Sequence, residues 1–450
     1  AGPAVIISFL IAGIVCGAAV MCYAEFASMI PVAGSAYTFT YTTVGEIMAW
    51  IIGWDLILEM LMAGSVISKY WGVYLNDFMR LMGWNANTNL TFGSFHIDIA
   101  PIIIVAFFTT LLVFGTKIGA RVDGAMTVLK IAIVFFVVIV GFFYVKASNF
   151  TPFIPPSQPA STVEGSSAVT GVMTQPLWQF ATGMTPSVYG VPGILSGAAL
   201  VFFAFIGFDV VATASEETKN PHKNVPLGIG VGMLLIIVMY MLVAVVTTGM
   251  VSYADLAKQD SPSLATAFEL VGADWAAKII SFGIVLGLAT VVMVLLLGLT
   301  RIVFAMSRDG LLPRGLSKTG KHGTPAALQI VVGAVVALVA AFFDIGVLSD
   351  MVNIGTLSAF TLVAISIPIM RKKRPDLPRA FKMPGSPWIP ILIAVANFWL
   401  MLNLSVLTWI RFVVWLGFAI YFGYGYWHAR LGKGDLTETL SAETDKAVNG

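Results

Sequence analysis

Long apolar runs separated by short polar stretches dominate this chain of 450 residues. A helix that crosses a bilayer needs about 20 mostly apolar residues. Eleven runs fit this length, so we predict membrane-spanning helices at 4–26, 44–68, 99–115, 122–145, 194–214, 226–250, 276–300, 326–343, 353–370, 387–407 and 412–428. The pattern predicts an all-α polytopic membrane protein, with a transmembrane domain at 1–431 and a polar tail at 432–450 that we expect to be disordered.

Composition agrees with this class of protein. The chain is 58% hydrophobic and only 11% charged, whereas a soluble globular protein carries about 25% charged residues. A net charge of +2 gives no reason to expect a nucleic-acid partner. Cys16 and Cys22 lie six residues apart in one run, so they face different sides of a helix and we predict no bridge between them. The sequence shows no metal-ligand spacing and calls for no cofactor.

The basic residues predict the orientation of the chain. If successive spans alternate in direction, eighteen of the 25 Lys and Arg residues fall on one side and six on the other, with Lys130 inside a span. Cytoplasmic loops are enriched in Lys and Arg. We therefore expect a multi-pass protein of the cell (inner or plasma) membrane with its C-terminus in the cytoplasm. The Ser-, Thr-, Pro- and Gly-rich connector 146–193 then becomes a long extracellular loop.

Few ionisable side chains fall inside the predicted spans, and each is a functional candidate because burying a charge there is costly. Lys130 either reaches back to the interface or holds an ammonium inside the bundle, where it could load and release a proton. Asp55 and Glu59 lie four residues apart and share a helix face. Glu59 is either part of a structural pair or a proton or substrate-amine partner. For Glu25, near the end of the first span, we expect a structural cap or ion pair.

A fourth candidate is the segment 202–209, which combines four phenylalanines, Gly207 and Asp209 in the middle of a span. Transporters bind ions and zwitterions near the membrane midplane with broken helices, whose freed carbonyls and amides face the ligand. Gly207 would permit such a break. The alternative is an aromatic packing face that tolerates one glycine, and the residues alone leave both interpretations open.

Four ordered motifs resemble those of one family. They read YAEF and PVAGSAY at 23–26 and 31–37, GWDLILE at 53–59, FAFIGFD at 203–209 followed by EETKNP at 216–221, and SRDGLLP at 307–313. In this order they resemble the amino acid–polyamine–organocation (APC) superfamily, and its cationic amino acid transporter branch in particular. The resemblance covers essentially the whole chain and is weakest in the long connector and the last two spans.

The resemblance implies a five-plus-five inverted-repeat transporter fold with two further C-terminal helices. The first span of this chain matches the second helix of the family, so the first family helix is absent from it and we expect a span upstream. Main-chain carbonyls of Phe203, Ala204 and Ile206 would bind the substrate ammonium. Phe203 or Phe205 would act as an aromatic gate beside the break at Gly207.

The same resemblance assigns roles to three charged residues. Lys130 would replace a sodium ion and couple transport to protons, Glu59 would tune the site, and Asp209 would belong to the network around the break. The implied function is import of amino acids by proton symport, with a cationic (Lys, Arg or ornithine) or small neutral substrate. The implied partners are the amino acid, protons and the lipid bilayer, and whether a small accessory membrane protein binds the bundle stays open.

Other functional classes fit less well. The sequence has no GxxxxGK[ST] loop of an ATP-driven pump and neither an HExxH nor a GxSxG motif of a membrane enzyme. It shows no polar stripe repeated along several spans, as a channel pore would need. The alternatives that the sequence leaves open are an uncoupled facilitator or exchanger of the same fold and a sensor that binds an amino acid without transporting it.

Overall fold

The computed structural model describes residues 1–29, 46–84, 88–92, 95–115, 120–162, 171–207, 220–259, 262–320, 323–373, 375, 379 and 381–428. Helices dominate these residues. In chain order they are α1 (Val5–Met29), α2 (Glu46–Leu81), α3 (Ile99–Val113), α4 (Ala120–Phe142), α5 (Leu177–Thr182), α6 (Gly190–Val201), α7 (Pro221–Met250), α8 (Tyr253–Ala257), α9 (Leu264–Leu270), α10 (Asp274–Arg308), α11 (Ala326–Phe342), α12 (Ile345–Lys373), α13 (Trp388–Leu402) and α14 (Val406–His428).

Each of the eleven predicted spans coincides with one of these helices. By length and composition, six of the described helices can cross a membrane, namely α1, α2, α4, α7, α10 and α12. The other five spans correspond to shorter apolar helices, α3, α11, α13, α14 and the segment Gly190–Phe205. The prediction of an all-α polytopic membrane protein is therefore confirmed.

Several predicted boundaries are wrong, and α2 shows why. We predicted its end at 68, where the apolar run stops, but the helix continues to Leu81. Its last part carries charged side chains that find partners: Lys69 donates to the Ala340 carbonyl at 2.9 Å, and Arg80 pairs with Glu269 at 2.8 Å. Backbone hydrogen bonds, not hydropathy, decide where a helix ends, so the helix outlasts its apolar run.

Strands are short in the described part of the chain. β1 (Asn89–Phe92) and β2 (Phe95–Asp98) pair antiparallel before α3. β3 (Gln158–Pro159) and β4 (Ser187–Val188) pair antiparallel inside the connector 146–193. This connector also contains the 3₁₀ turns Ala147–Phe150 and Ala160–Thr162 and helix α5, while its residues 163–170, like the predicted tail 432–450, lie outside the described part of the chain.

The long helices pack as two related halves. Extensive contacts join α2 to α10, α1 to α7 and α3 to α11. Within each pair the helices run antiparallel, because contacts climb one helix while descending the other: Phe9 with Tyr240 and Gly13 with Ile237, Gly64 with Leu295 and Phe78 with Phe282, Thr109 with Gly333 and Val113 with Thr324.

The other helix contacts follow the same correspondence between the two halves. Helix α4 packs on α10 and α7, and its counterpart α12 packs on α2 and α1. The helices α1, α2, α3 and α4 therefore correspond to α7, α10, α11 and α12 with opposite direction, which is the arrangement of an inverted repeat. Helix α6 packs on α1, while α13 and α14 follow the second half. This matches the fold that the sequence resemblance implied.

Candidate functional site

A break in a membrane helix forms the centre of the site. Helix α6 ends at Val201, and the chain tightens into a 3₁₀ turn, Phe202–Phe205. Ile206 is then extended, with φ −71° and ψ 143°, and Gly207 has φ +122°. A side chain strains the backbone at this φ, so glycine is the residue that fits there. Helix α6 thus ends inside the predicted span 194–214, in the segment where the resemblance implies a break, and residues 208–214 of that span lie outside the described residues.

Side chains from three other helices hold carbonyls at this break. The Tyr240 hydroxyl of α7 donates to the Ala204 carbonyl at 2.6 Å, and the Cys16 thiol of α1 contacts the Phe205 carbonyl at 3.9 Å. Asn353 of α12 donates through Nδ2 to the Leu200 carbonyl at 3.3 Å. A shift from α to 3₁₀ hydrogen bonding changes the partners of such carbonyls, and these side chains fix the geometry that results.

The predicted ammonium-binding carbonyls are only partly occupied by these contacts. The Phe203 carbonyl accepts the Ile206 N–H at 3.2 Å within the turn, and the Ala204 carbonyl accepts from Tyr240. A carbonyl oxygen has two lone pairs, so each of these carbonyls can accept one more hydrogen bond. The geometry is compatible with the binding role that the resemblance implies.

Aromatic rings surround the break unevenly. Phe205 is buried, and its ring lies 5.1 Å from that of Tyr240 and 6.4 Å from that of Phe9, both edge-on. Phe203 is partly exposed. A gate must move, and a ring in a tight cluster moves less readily than a partly exposed one. Of the two phenylalanines proposed as a gate from the sequence, Phe203 therefore has the more suitable surroundings.

Lys130 lies on α4 beside the break and is partly buried. Its aliphatic stem passes close to Gly287 of α10, where a Cβ atom would lie 3.3 Å from Lys130 Cγ. Lys130, Gly287, Ala204 and Tyr240 all line one cavity of about 800 Å³. The predicted proton-coupling lysine and Ala204, one of the residues predicted to bind substrate, therefore line the same space.

The walls of this cavity are mainly apolar. Its larger lining side chains are Phe9, Ile133, Val134, Val137, Val243, Ile284, Leu288 and Val291, and its polar ones include Tyr240, Thr247, Thr248 and Tyr253. Among the described lining residues, Lys130 is the only lysine, arginine, aspartate or glutamate. Ligand sites commonly combine apolar walls with a few well-placed polar groups, and this cavity has that character.

The carboxylates of α2 lie elsewhere. Asp55 and Glu59 are fully buried, and the Ser358 hydroxyl of α12 donates to Asp55 Oδ2. The described lining of the cavity includes neither carboxylate. Asp209, the remaining predicted site residue, lies outside the described residues.

Sequence reasoning missed Tyr240, Asn353 and Gly287. Asn353 is a fully buried amide in an apolar helix, and a polar side chain inside a span is a signal that could have found it. Tyr240 stands in a long apolar run at 226–250, where its hydroxyl is the comparable signal. Gly287 gives no signal of its own in the sequence, because its role beside Lys130 depends on a contact between helices.

Three known proteins are similar to the chain along most of its length. The family model described as "Amino acid permease" matches residues 1–429. The branched-chain amino acid permease BcaP of Bacillus subtilis is 42% identical over 422 residues, which cover 92% of this chain and 83% of the relative. The methylthioribose transporter of Bacillus subtilis is 38% identical, covering 92% and 84%. Cationic amino acid transporter 3, mitochondrial, of Arabidopsis thaliana is 37% identical, covering 82% and 57%.

Proposed function

Since the chain belongs to the amino acid permease family, we propose that it is a secondary active transporter that imports amino acids by proton symport. Like its relatives, which are named as transporters or permeases, it is a transporter and not an enzyme. The observation that carries the proposal is the cavity that Lys130 and Ala204 both line. A proton carrier and a binding group for the substrate ammonium must communicate if the two are to be moved together.

In this proposal the break in α6 binds the amino-acid backbone. Carbonyls of Phe203, Ala204 and Ile206 accept hydrogen bonds from the substrate ammonium, and Gly207 gives the chain the turn that exposes them. Phe203 closes over the bound substrate. Asp209 supports the far side of the break, and Glu59 acts on the site from the neighbouring packing of α2.

Lys130 provides the coupling in this proposal. A lysine amine can take up and release a proton, so Lys130 can carry one through the transport cycle. In its protonated form it stands where a sodium ion would otherwise lie, close to the break. Loss of the proton to the cytoplasm would then reset the transporter for another cycle.

The cavity walls favour apolar over cationic side chains among substrates. A cationic side chain needs a carboxylate partner when it is buried, but the described lining residues include a lysine, Lys130, and neither an aspartate nor a glutamate. The relatives named branched-chain amino acid permease, at 42% and 31% identity, agree with this preference. We therefore propose neutral amino acids with small or branched side chains before lysine, arginine and ornithine.

The proposed location is the cell membrane, with the C-terminus in the cytoplasm. The positive-inside distribution of Lys and Arg supports this orientation. The bacterial permease relatives support the membrane.

Uptake into proteoliposomes tests the proposal. Labelled leucine, alanine, arginine and lysine are compared with and without an inward proton gradient, in the wild type and in Lys130→Met. Methionine keeps an unbranched stem beside Gly287 but has no charge, so it separates charge from packing. We expect gradient-driven accumulation in the wild type and equilibration only in Lys130→Met.

A matched variant controls for the loss of any lysine. Lys258 is exposed and pairs only at the surface, 3.4 Å from Asp255, so Lys258→Met should accumulate substrate as the wild type does. Wild-type uptake that ignores the gradient would replace symport with a facilitator or exchanger. Substrate binding without uptake under any condition would favour a sensor.

A further inference from the structure

A buried ion-pair cluster closes one end of the bundle. Glu25, near the end of α1, is fully buried. Its carboxylate accepts two hydrogen bonds from Arg371 at the end of α12, from Nε at 2.9 Å and from Nη2 at 2.6 Å. The backbone N–H of Met383 donates to it at 2.8 Å, and Arg379 Nε lies 3.6 Å away. We call Glu25, Arg371, Arg379 and Met383 the Glu25 cluster.

Further contacts fasten the chain before α13 to the end of α1. Arg371 Nη2 also donates to the Met383 carbonyl at 2.8 Å. The Ser28 hydroxyl exchanges hydrogen bonds with the backbone of Phe381, both at 3.3 Å. Cys22 Sγ lies 3.2 Å from Met383 Sδ. Three separate segments therefore meet at one carboxylate, which is fully satisfied only while all three stay together.

The cluster joins two packing groups that otherwise touch sparingly. Helix α1 packs mainly on α7 and α6, whereas α12 packs mainly on α2 and α13. Removing one partner of a buried ion pair is strongly destabilising, while well-packed apolar residues in its place are often as stable or more so. A buried ion pair is thus a weak means of holding two packing groups together permanently. It suits a joint that separates into water, where each charge is solvated again.

A chain of aromatic contacts leads from the cluster to the α6 break. Tyr23, two residues before Glu25, lies edge-on to Phe360 of α12 with ring centroids 5.4 Å apart. Phe360 in turn contacts Phe202, the first residue of the 3₁₀ turn, at 5.9 Å. All three rings are buried. A shift of α1 against α12 must therefore repack the side of the break where the carbonyls are held.

The inverted repeat places an equivalent corner at the opposite end of the bundle. There α7 ends against the segment that follows α4, as α1 ends against the segment that follows α12. The Gly249 carbonyl accepts the Lys146 N–H at 2.9 Å and Asn149 Nδ2 at 2.7 Å. At each of these two corners, the end of one helix (α1 or α7) is hydrogen-bonded to the segment that follows another helix (α12 or α4).

We propose that the Glu25 cluster is a gate, which opens at each turnover to let the substrate leave at that end. The proposal rests on the transport function proposed above for what passes the gate, and the orientation proposed there puts the gate at the cytoplasmic face. Opening breaks the contacts of Glu25 with Arg371 and Met383, and closing restores them. Glu25 and Arg371 are positioning residues, since neither lines the described cavity.

A reversible cross-link tests the gate with one substitution. Met383→Cys places a thiol beside the native Cys22, and copper phenanthroline oxidises the pair to a disulfide that dithiothreitol reduces again. We expect oxidation to lower uptake into proteoliposomes at least tenfold and reduction to restore it. The double variant Met383→Cys/Cys22→Ala cannot form this bond, and its uptake should ignore the oxidant.

Equal uptake by the cross-linked and reduced forms, with the disulfide verified by mass spectrometry, would overturn the gate. If the reduced form moves none of the amino acids tested, the proposed function has failed, and the gate needs a measurement without substrate. Alkylation of Cys22 by N-ethylmaleimide, in a Cys16→Ala background, provides one. Cys22 is fully buried beside the cluster, so its reaction rate reports opening.

We expect Glu25→Gln to raise that rate several-fold over the background protein. Ser65→Ala, which removes a buried hydroxyl of α2 away from the cluster, should leave the rate unchanged. If Glu25→Gln does not fold, Arg371→Lys serves instead, since it keeps the charge but loses the paired hydrogen bonds. An unchanged alkylation rate in a folded variant, judged by its melting curve, contradicts the gate whatever the substrate is.

Discussion

Gly207→Ala tests the break in α6 through backbone conformation alone. Among the described residues, no atom lies within 4 Å of a Cβ atom added at Gly207, so steric overlap with them plays no part. The φ of +122° is the whole obstacle. It also lies outside the left-handed region near +57° that asparagine tolerates, so Gly207→Asn should behave like Gly207→Ala.

The magnitude follows from two opposing effects. A side chain held in a sparsely populated backbone region costs about 1–3 kcal/mol. Replacing glycine by alanine also restricts the unfolded chain, which stabilises the protein by about 0.4–1 kcal/mol. The net effect disfavours the broken conformation by about 1–2 kcal/mol. Because 1.4 kcal/mol is tenfold in an equilibrium constant, the population competent to bind substrate should fall roughly tenfold.

Thermal unfolding and uptake kinetics of the purified variant measure this loss. We expect a melting temperature a few degrees lower and a marked loss of substrate affinity. Gly228→Ala is the matched control, because Gly228 lies in α7 with nothing within 4 Å of its added Cβ and alanine is the better helix former by about 1 kcal/mol. If Gly207→Ala melts and transports like the wild type, the break does not require this backbone conformation and our account of the site is wrong.

Two further substitutions test contacts between helices. Tyr240→Phe keeps the ring but removes the hydrogen bond to the Ala204 carbonyl, worth about 1 kcal/mol, so uptake assays should show an apparent KM roughly fivefold higher; an unchanged KM would contradict the positioning role of Tyr240. Gly333→Ala would place a Cβ 2.1 Å from Thr109 Oγ1, and overpacking of this kind costs about 1–3 kcal/mol. The melting temperature should fall, and adding Thr109→Ala should recover part of the loss.

Hydropathy predicted the order of the long apolar helices among the described residues because a membrane span must be apolar along about 20 residues. It failed at boundaries where polar residues extend a helix. We predicted a span at 353–370, whereas α12 runs from Ile345 to Lys373. Its first turns carry Ser349 and Asp350, and Thr408 donates to Asp350 at 3.1 Å. A helix whose polar residues find partners on neighbouring helices continues beyond its apolar stretch.

The parts of the site that depend on one residue were predictable, and those that depend on pairs were not. Gly207 indicates a possible break because glycine tolerates backbone conformations that other residues do not. Glu25 indicates a structural ion pair because it is a charged residue in a predicted span. The partner of Glu25 is Arg371, 346 positions along the chain, and no local pattern connects the two.

The antiparallel relation of the two halves constrains how the chain could have arisen and how it enters a membrane. If one ancestral unit was duplicated, its copies now insert in opposite directions, so a loop that faces the cytoplasm in one copy corresponds to an outer loop in the other. Because Lys and Arg in a loop direct it to the cytoplasm, two equivalent loops on opposite sides of the membrane cannot both be rich in these residues. The segment 82–98 between α2 and α3 has no Lys or Arg, whereas its counterpart 309–325 between α10 and α11 has Arg314, Lys318 and Lys321. Two halves with similar helices can therefore insert in opposite directions into one bilayer only if their loops differ in basic residues.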